Sequence, residues 1–202
     1  VATQKTFDGL KKTGVNTVRV PVAWSNFLTM EIPKEDGTVE KVTGANNMYK
    51  AVDAINTPME GVTPATEDTY YRISTELMDR IETVINYGLN DGMYIIFNIH
   101  WDGGWWGMFG AEEWDGTPLA QTDMKKNPIR YQAYKKYTDI WKQLSERFKE
   151  YSDHVIFEGA NEELSGRLND DFRDPSKAQN NQTGKLPKDG DQIYQMVNEI
   201  NQ

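Results

Sequence analysis

The sequence contains no cysteine, so it offers no disulfide framework and no information on the redox compartment. It also lacks a long apolar run, since the longest falls far short of the roughly 20 residues that cross a bilayer. We therefore expect no membrane partner. No signal peptide is visible, although a chain whose pattern begins within a helix could not show one.

Basic residues are scarce: 22 Lys and Arg stand against 31 Asp and Glu, for a formal net charge of −9. Proteins that bind nucleic acid present basic faces, so we expect no nucleic-acid partner. Glycine-rich phosphate loops and a Gly-x-Ser-x-Gly elbow are absent, so we expect neither a nucleotide cofactor nor a serine hydrolase. The spacing of Asp170, Asp171 and Asp174 lacks the pattern of a calcium loop, and no metal is expected.

Three short apolar runs predict β-strands, near residues 16–24, 93–101 and 154–162. They are rich in β-branched and aromatic residues, as in strands that are covered on both faces of a parallel sheet. Segments of helical period alternate with them, at residues 3–14, 74–91 and 129–151 and again from 193. This alternation predicts an α/β fold built around a parallel sheet.

The segments that follow the strands are unusually long. Residues 25–73, 102–127 and 163–190 are polar and rich in Gly, Pro and Asn, and they exceed the usual length of structureless loops, which points to function or disorder. All three lie after strands. We therefore expect a ligand cleft at the C-terminal ends of the strands.

Polar residues interrupt or end the three apolar runs. Arg19 lies inside the first, His100 closes the second, and Asn161 and Glu162 end the third. Burying such groups costs several kcal/mol unless partners satisfy them, so we predict one shared polar cluster. A plain ion-pair role for Arg19 and a core role for His100 remain open. Glu158 lies an even step before Glu162, and we expect it lower in the sheet with a structural partner.

An aromatic, glycine-rich segment follows the second predicted strand. Flat rings stack on sugar rings while polar groups bind hydroxyls, so this mixture is typical of a ligand cleft. We expect a sugar contact from Trp101 or from one of Trp105 and Trp106, and a structural role for Trp114. The remaining cleft candidates are Trp24, at the tip of its strand, and Asp102, which either binds a hydroxyl or caps the loop.

Three sequence blocks carry a family resemblance. "GVNTVRVPVAW", "RIETVINYGLNDGMYIIFNIHWDGGWW" and "VIFEGANEEL" resemble, in this order, the second, third and fourth strands of glycoside hydrolase family 5, the cellulase family. The wording "NIHWDGGW" is similar to subfamily 4. The resemblance spans almost the whole chain and implies a (β/α)8 TIM barrel. Residues 1–202 would then form one incomplete catalytic domain, from about helix 1 to the start of helix 4.

The resemblance also implies roles for individual residues. Glu162 matches the general acid/base, Asn161 the neighbour that binds the sugar 2-hydroxyl, and Arg19 and His100 the groups that organise the catalytic carboxylates. The family usually has a second His where this chain has Trp101. Its nucleophile, a Glu on the seventh strand, has no counterpart in this sequence.

The implied function is a retaining endo-β-1,4-glycanase that acts on a β-glucan such as cellulose, mixed-linkage glucan or xyloglucan. Secretion or a cell-surface location would follow, because polymeric glucans cannot cross membranes. A complete barrel needs about 250 residues, whereas this chain has 202. We therefore expect a fragment, inactive alone, with a complementary C-terminal half-barrel as a further partner. The alternative is a sugar-binding barrel or half-barrel that performs no hydrolysis.

Overall fold

The computed structural model describes residues 2–24, 27–43, 66–100, 123, 125, 128–159 and 161. Its helices in this part of the chain are α1 (Gln4–Lys12), α2 (Thr75–Asn90) and α3 (Pro128–Phe148). The strands in the same ranges are β1 (Thr17–Val22), β2 (Leu28–Pro33), β3 (Val39–Thr43), β4 (Tyr70–Ile73), β5 (Tyr94–Ile99) and β6 (Val155–Glu158).

Local sequence signals set the ends of the first two helices. The hydroxyl of Ser74 accepts a hydrogen bond from the backbone N–H of Leu77 at 3.2 Å, which satisfies one of the free donors at the start of α2. Gly14 follows α1 with a φ of 88°, a left-handed conformation that favours glycine. Both helices therefore begin and end within a few residues of the predicted bounds.

The predicted parallel sheet is present, with strand order β1–β5–β6. The central strand, β5, runs parallel to both neighbours. Ile95 and Phe97 of β5 are fully buried on the side that faces the helices, where Ile85 of α2 and Leu144 of α3 also belong to the core. The predicted α/β architecture with a parallel sheet is thus confirmed.

The opposite face of this sheet carries the polar residues. Arg19 lies beside Ile96, and two residues further along each strand Pro21, Asn98 and Glu158 lie side by side. Since successive strand residues point to opposite faces, steps of two keep Arg19 on the same face as Asn98 and Glu158. The polar face is therefore the one turned away from α2 and α3.

A second sheet is antiparallel, with order β3–β2–β4. Leu28, Met30 and Ile32 of β2 are buried, whereas Glu31 points to the other face and pairs with Arg72 of β4. The polar loop that was predicted over residues 25–73 is therefore wrong for residues 28–43 and 70–73. Alternating apolar residues bury one face of β2, and that burial stabilises a sheet within a segment that is polar on average.

Side chains from α3 satisfy the outer edge of β4. Asp139 accepts a hydrogen bond from the backbone N–H of Tyr71 at 3.0 Å, and the amide oxygen of Gln143 accepts one from the N–H of Ile73 at 3.0 Å. The amide nitrogen of Gln143 donates to the carbonyl of Tyr71 at 2.8 Å. These bonds replace the strand that would otherwise pair with this edge, and they fix the antiparallel sheet against α3.

Candidate active site

Arg19 is the centre of the polar cluster on the face turned away from the helices. Its Nε donates to the Glu158 carboxylate at 2.7 Å, and its Nη2 donates to the other oxygen of the same carboxylate. This fork between a guanidinium and a carboxylate is a strong, geometrically specific form of ion pair. Glu158 thus has the structural partner that we expected for it, and that partner is Arg19.

Asn161 joins the cluster just beyond the end of β6. The Nη2 of Arg19 donates to the side-chain oxygen of Asn161 at 2.7 Å. One guanidinium therefore binds both the last residue of β6 and the residue that directly precedes Glu162 in the sequence. The predicted meeting of Arg19 and Asn161 at the strand ends is confirmed.

Asn98 supports this cluster from within the sheet. It is fully buried, and its amide nitrogen donates to the Glu158 carboxylate at 3.1 Å. Within the described residues, its amide oxygen has no hydrogen-bond partner. The sequence analysis did not single out Asn98, although it precedes His100 by two residues and so shares that residue's side of the strand.

The environment of Glu158 favours its ionised form. Hydrogen bonding from Arg19 is the main cause that lowers the pKa of Glu158 below its ordinary value of 4.5, and partial burial opposes it. The hydrogen bond from Asn98 and the charges of Arg19 and His100 lower this pKa further. The carboxylate of Glu158 is therefore kept ionised by Arg19 of β1, by Asn98 of β5 and by His100, which directly follows β5.

His100 follows β5 directly and is half-buried. Its backbone N–H donates to the carbonyl of Val22 at 2.9 Å, which ties the ends of β5 and β1 together. Two residues beyond Asn98, it belongs to the same polar face, and its charge acts on Glu158. The structure thus gathers Arg19, His100 and Asn161 at one edge of the parallel sheet, as the apolar runs predicted.

Trp24 is placed differently from the sequence-based expectation. Its ring is fully buried, and its indole N–H donates to the backbone carbonyl of Asn98 at 3.1 Å. In this position Trp24 packs between β1 and β5. The predicted contact between this ring and a sugar stays a prediction, and the burial of the ring argues against it. The other predicted site residues, Glu162, Trp101, Asp102, Trp105 and Trp106, lie outside the described residues.

A cavity of about 470 Å³ lies elsewhere, between β4, α2 and α3. Two of the charged groups that line it are already paired, Arg72 with Glu31 and Arg147 with Asp79 and Glu82. Because the charges of Arg72 and Arg147 are already paired, we expect the cavity to bind a charged ligand less well than unpaired arginines would. The strand-end cluster remains the candidate site.

The described ranges contain no group of three or more His, Asp or Glu side chains placed to hold a metal ion. Among the helices in those ranges, none combines the length and the apolar character needed to cross a membrane.

The sequence of this chain is similar to those of known proteins. The family model for cellulase, glycosyl hydrolase family 5, matches residues 1–200. Endoglucanase A of Ruminococcus albus is 32% identical over 158 residues, which cover 77% of this chain and 35% of that protein. A xyloglucan-specific endo-beta-1,4-glucanase of Bacteroides ovatus is 28% identical over 158 residues, which cover 77% of this chain and 20% of that protein.

The fold is also shared with a solved structure. A trimodular family 5, subfamily 4 endo-beta-1,4-glucanase from Bacillus licheniformis, complexed with cellotetraose, superimposes with a TM-score of 0.50 at 23% identity. The match covers 80% of this chain and 21% of that chain. The described sheet and helices are accordingly part of a (β/α)8 barrel. The chain spans 35% and 20% of the length of the two curated relatives named above.

Proposed function

Because the chain belongs to glycosyl hydrolase family 5, the cellulase family, we propose that its protein is an endo-acting glycanase that hydrolyses β-1,4-linked glucan. The observation that carries this proposal is the hydrogen bond from Arg19 to Asn161 at 2.7 Å. It holds the residue next to Glu162 at the C-terminal edge of a parallel sheet. In (β/α)8 enzymes, catalytic groups come from that edge.

Glu162 is the proposed general acid/base. In the first step it gives its proton to the glycosidic oxygen while a second carboxylate attacks the anomeric carbon, which breaks the glycosidic bond and forms a glycosyl-enzyme ester. In the second step Glu162 takes a proton from water, whose oxygen attacks the anomeric carbon and releases the second carboxylate. By the family resemblance, that carboxylate is a Glu on a later strand. The net reaction consumes one water and retains the anomeric configuration.

The other residues of the cluster bind and orient. Asn161 would donate its amide N–H groups to a sugar hydroxyl, while Arg19 and His100 supply positive charge and hydrogen bonds near the two carboxylates. Trp101, Asp102, Trp105 and Trp106 are the proposed sugar contacts of the segment that follows β5. Indole rings fit this role because their apolar faces stack on sugar rings.

A β-glucan is the proposed substrate class. Support comes from the endoglucanase and the xyloglucan-specific enzyme among the relatives, and from the cellotetraose complex of the Bacillus licheniformis structure. We further propose that the protein is secreted or held at the cell surface, where such polymers occur. The formal net charge of −9 does not oppose binding of a neutral polymer.

The test is a substrate panel for the full-length protein. Cellulose, xyloglucan, lichenan, xylan and mannan are each incubated with it, and the first-formed anomer of the product is read by NMR. We expect release of β-configured products from at least one β-1,4-glucan. A protein that binds these polymers without cleaving any would instead be a sugar-binding module, and inverted products would contradict the double displacement.

A further inference from the structure

The Glu158 carboxylate accepts hydrogen bonds from two neighbouring strands, and neither contact takes part in the proposed proton transfer or nucleophilic attack. From β1 it receives the Nε of Arg19 at 2.7 Å together with the Nη2 of the same guanidinium. From β5 it receives the amide nitrogen of Asn98 at 3.1 Å. A carboxylate that accepts three such bonds is poorly placed to exchange protons with a substrate, and well placed to hold its donors still.

Asn98 gives this arrangement a rigid base. Its side chain is fully buried in the central strand of the parallel sheet, and it lies directly beside Glu158 in the strand register. Central strands move less than loops because they are paired on both sides. The carboxylate of Glu158 is therefore fixed relative to the sheet, at the last residue before the chain leaves β6.

Arg19 transmits this fixed position to Asn161. An arginine has donors only, so the atom of Asn161 that lies 2.7 Å from Nη2 is the amide oxygen. With its oxygen engaged by Arg19, the amide has its two N–H donors on its other arm. In this orientation the Asn161 amide presents its N–H donors to a sugar hydroxyl. If the amide were rotated by about 180°, it would present its oxygen, an acceptor, instead.

We propose that Glu158 is a positioning residue: through Arg19 it orients the Asn161 amide, so that the N–H donors beside Glu162 face the sugar. This inference rests on the proposed function. It adds a residue to the site that makes no contact with substrate, and it explains why a charged side chain occupies the end of β6. The chain of contacts runs from Asn98 to Glu158, then to Arg19 and Asn161.

The charge on Glu158 persists over the ordinary assay range. Its pKa lies below 4.5, chiefly because of the hydrogen bonds from Arg19. A lowered carboxylate pKa stabilises the folded state at pH values above the ordinary pKa, and this contribution is lost as the pH falls through the folded-state pKa. Measurements near pH 7 therefore report on the ionised form of Glu158.

The test uses Glu158→Gln in the full-length protein, with Glu82→Gln as a matched control. Glu82 also joins two elements, because it binds Arg147 and accepts a 2.7 Å hydrogen bond from the Tyr151 hydroxyl. Its side chain is 26% exposed, close to the 30% of Glu158. It differs in lying between the outer helices. Both variants lose a paired carboxylate, but only Glu158→Gln loses one at the C-terminal ends of the strands.

We expect Glu158→Gln to lower kcat/KM on a soluble β-glucan by about 10- to 100-fold, because small displacements of positioning groups are costly to catalysis. Glu82→Gln should keep wild-type kcat/KM. The decisive readout is a double-mutant cycle with Asn161→Ala. If Glu158 acts through Asn161, adding Glu158→Gln to Asn161→Ala should lower kcat/KM by less than about 3-fold further.

Multiplicative losses in the cycle, or a Glu158→Gln enzyme with wild-type kcat/KM, would overturn the inference while leaving the proposed function intact. A wild-type protein that cleaves no β-glucan would overturn the proposed function instead. In that case the affinity for cellotetraose is measured on the same variants. Weaker binding by Glu158→Gln, with wild-type binding by Glu82→Gln, would still support the positioning role. If Glu158→Gln does not fold, Asn98→Ala removes the 3.1 Å bond while leaving the pair of Glu158 and Arg19 in place, and it enters the same cycle.

Discussion

At the scale of single residues, Gly88 lies at a close approach between α2 and β5. A methyl group added there would lie 2.1 Å from the Cδ1 and 2.8 Å from the Cγ1 of Ile95, and 3.3 Å from a ring carbon of Phe7. Ile95 is fully buried, so its side chain has little space into which to move. The absence of a side chain at this position lets the helix lie close to the sheet.

We therefore predict that Gly88→Ala destabilises the protein. Overpacking of a core costs about 1–3 kcal/mol, and the better helix propensity of alanine offsets about 1 kcal/mol of this cost. Urea unfolding of the full-length protein measures the net effect. Gly9→Ala is the matched control, because Gly9 is an exposed α1 residue whose added methyl group would meet nothing within 4 Å. It should stabilise by up to about 1 kcal/mol, and equal stability of the two variants would contradict the packing account.

The site residues that could be predicted from the sequence share one property. Arg19, His100 and Asn161 are polar groups inside or at the end of apolar runs, where burial demands a partner. Asn98 belongs to the same class but was passed over, because its neighbours Phe97 and Ile99 make the run read as continuous core. The pairing of Arg19 with Glu158 depends on strand register, which the sequence alone did not provide.

At the scale of elements, α3 acts as a substitute strand for β4. Gln143 forms two of the three bonds that close the edge, to the N–H of Ile73 and the carbonyl of Tyr71. Asp139, one helical turn earlier, forms the third, to the N–H of Tyr71. Residues four apart lie on one face of a helix, so this spacing lets both side chains reach the same strand.

We predict that Gln143→Ala destabilises the protein by about 2 kcal/mol or more, since it leaves two backbone groups of β4 without partners. Lys142→Ala is the control, because this neighbouring side chain is exposed, and such changes are usually within about 0.5 kcal/mol of neutral. Thermal unfolding with hydrogen exchange at β4 would measure both effects. Unchanged stability together with unchanged protection of Ile73 would show that the edge does not depend on α3.

The helices and the parallel strands were predictable because their periods extend over enough residues to stand out. The antiparallel sheet was not predicted, since residues 25–73 were read as one polar segment. A signal was nevertheless present: Leu28, Met30 and Ile32 alternate with polar residues, and Asp36-Gly37 follows as a turn. Gly37 has a φ of 82°, as turns of this kind require.

At the scale of the whole molecule, the described sheet resembles the open side of a barrel. In the ranges that the structure describes, β1 and β6 each pair on one side only. Ile156 and Phe157 of β6 are 40% and 41% exposed, although parallel strands in barrels are normally covered on both faces. We expect further strands and helices of the same barrel to cover these side chains.

A parallel α/β sheet could be inferred from the sequence because helix and strand patterns alternate, whereas the barrel was implied by the family resemblance of the three strand blocks. The second carboxylate of the proposed mechanism could not be identified from the sequence. Two carboxylates placed about 5–5.5 Å apart are needed for retention. The other proposed carboxylate, Glu162, lies in this chain.

The most direct test is the turnover of Glu162→Gln in the full-length protein, with Glu163→Gln as the control carboxylate. On an unactivated β-glucan, loss of a positioned acid should lower kcat by about 100- to 10,000-fold. On an aryl glycoside with a good leaving group, azide should restore turnover. Glu163→Gln should behave as wild type, because it leaves the proposed acid/base in place. A Glu162→Gln enzyme that cleaves the β-glucan at a near-normal rate would contradict the account.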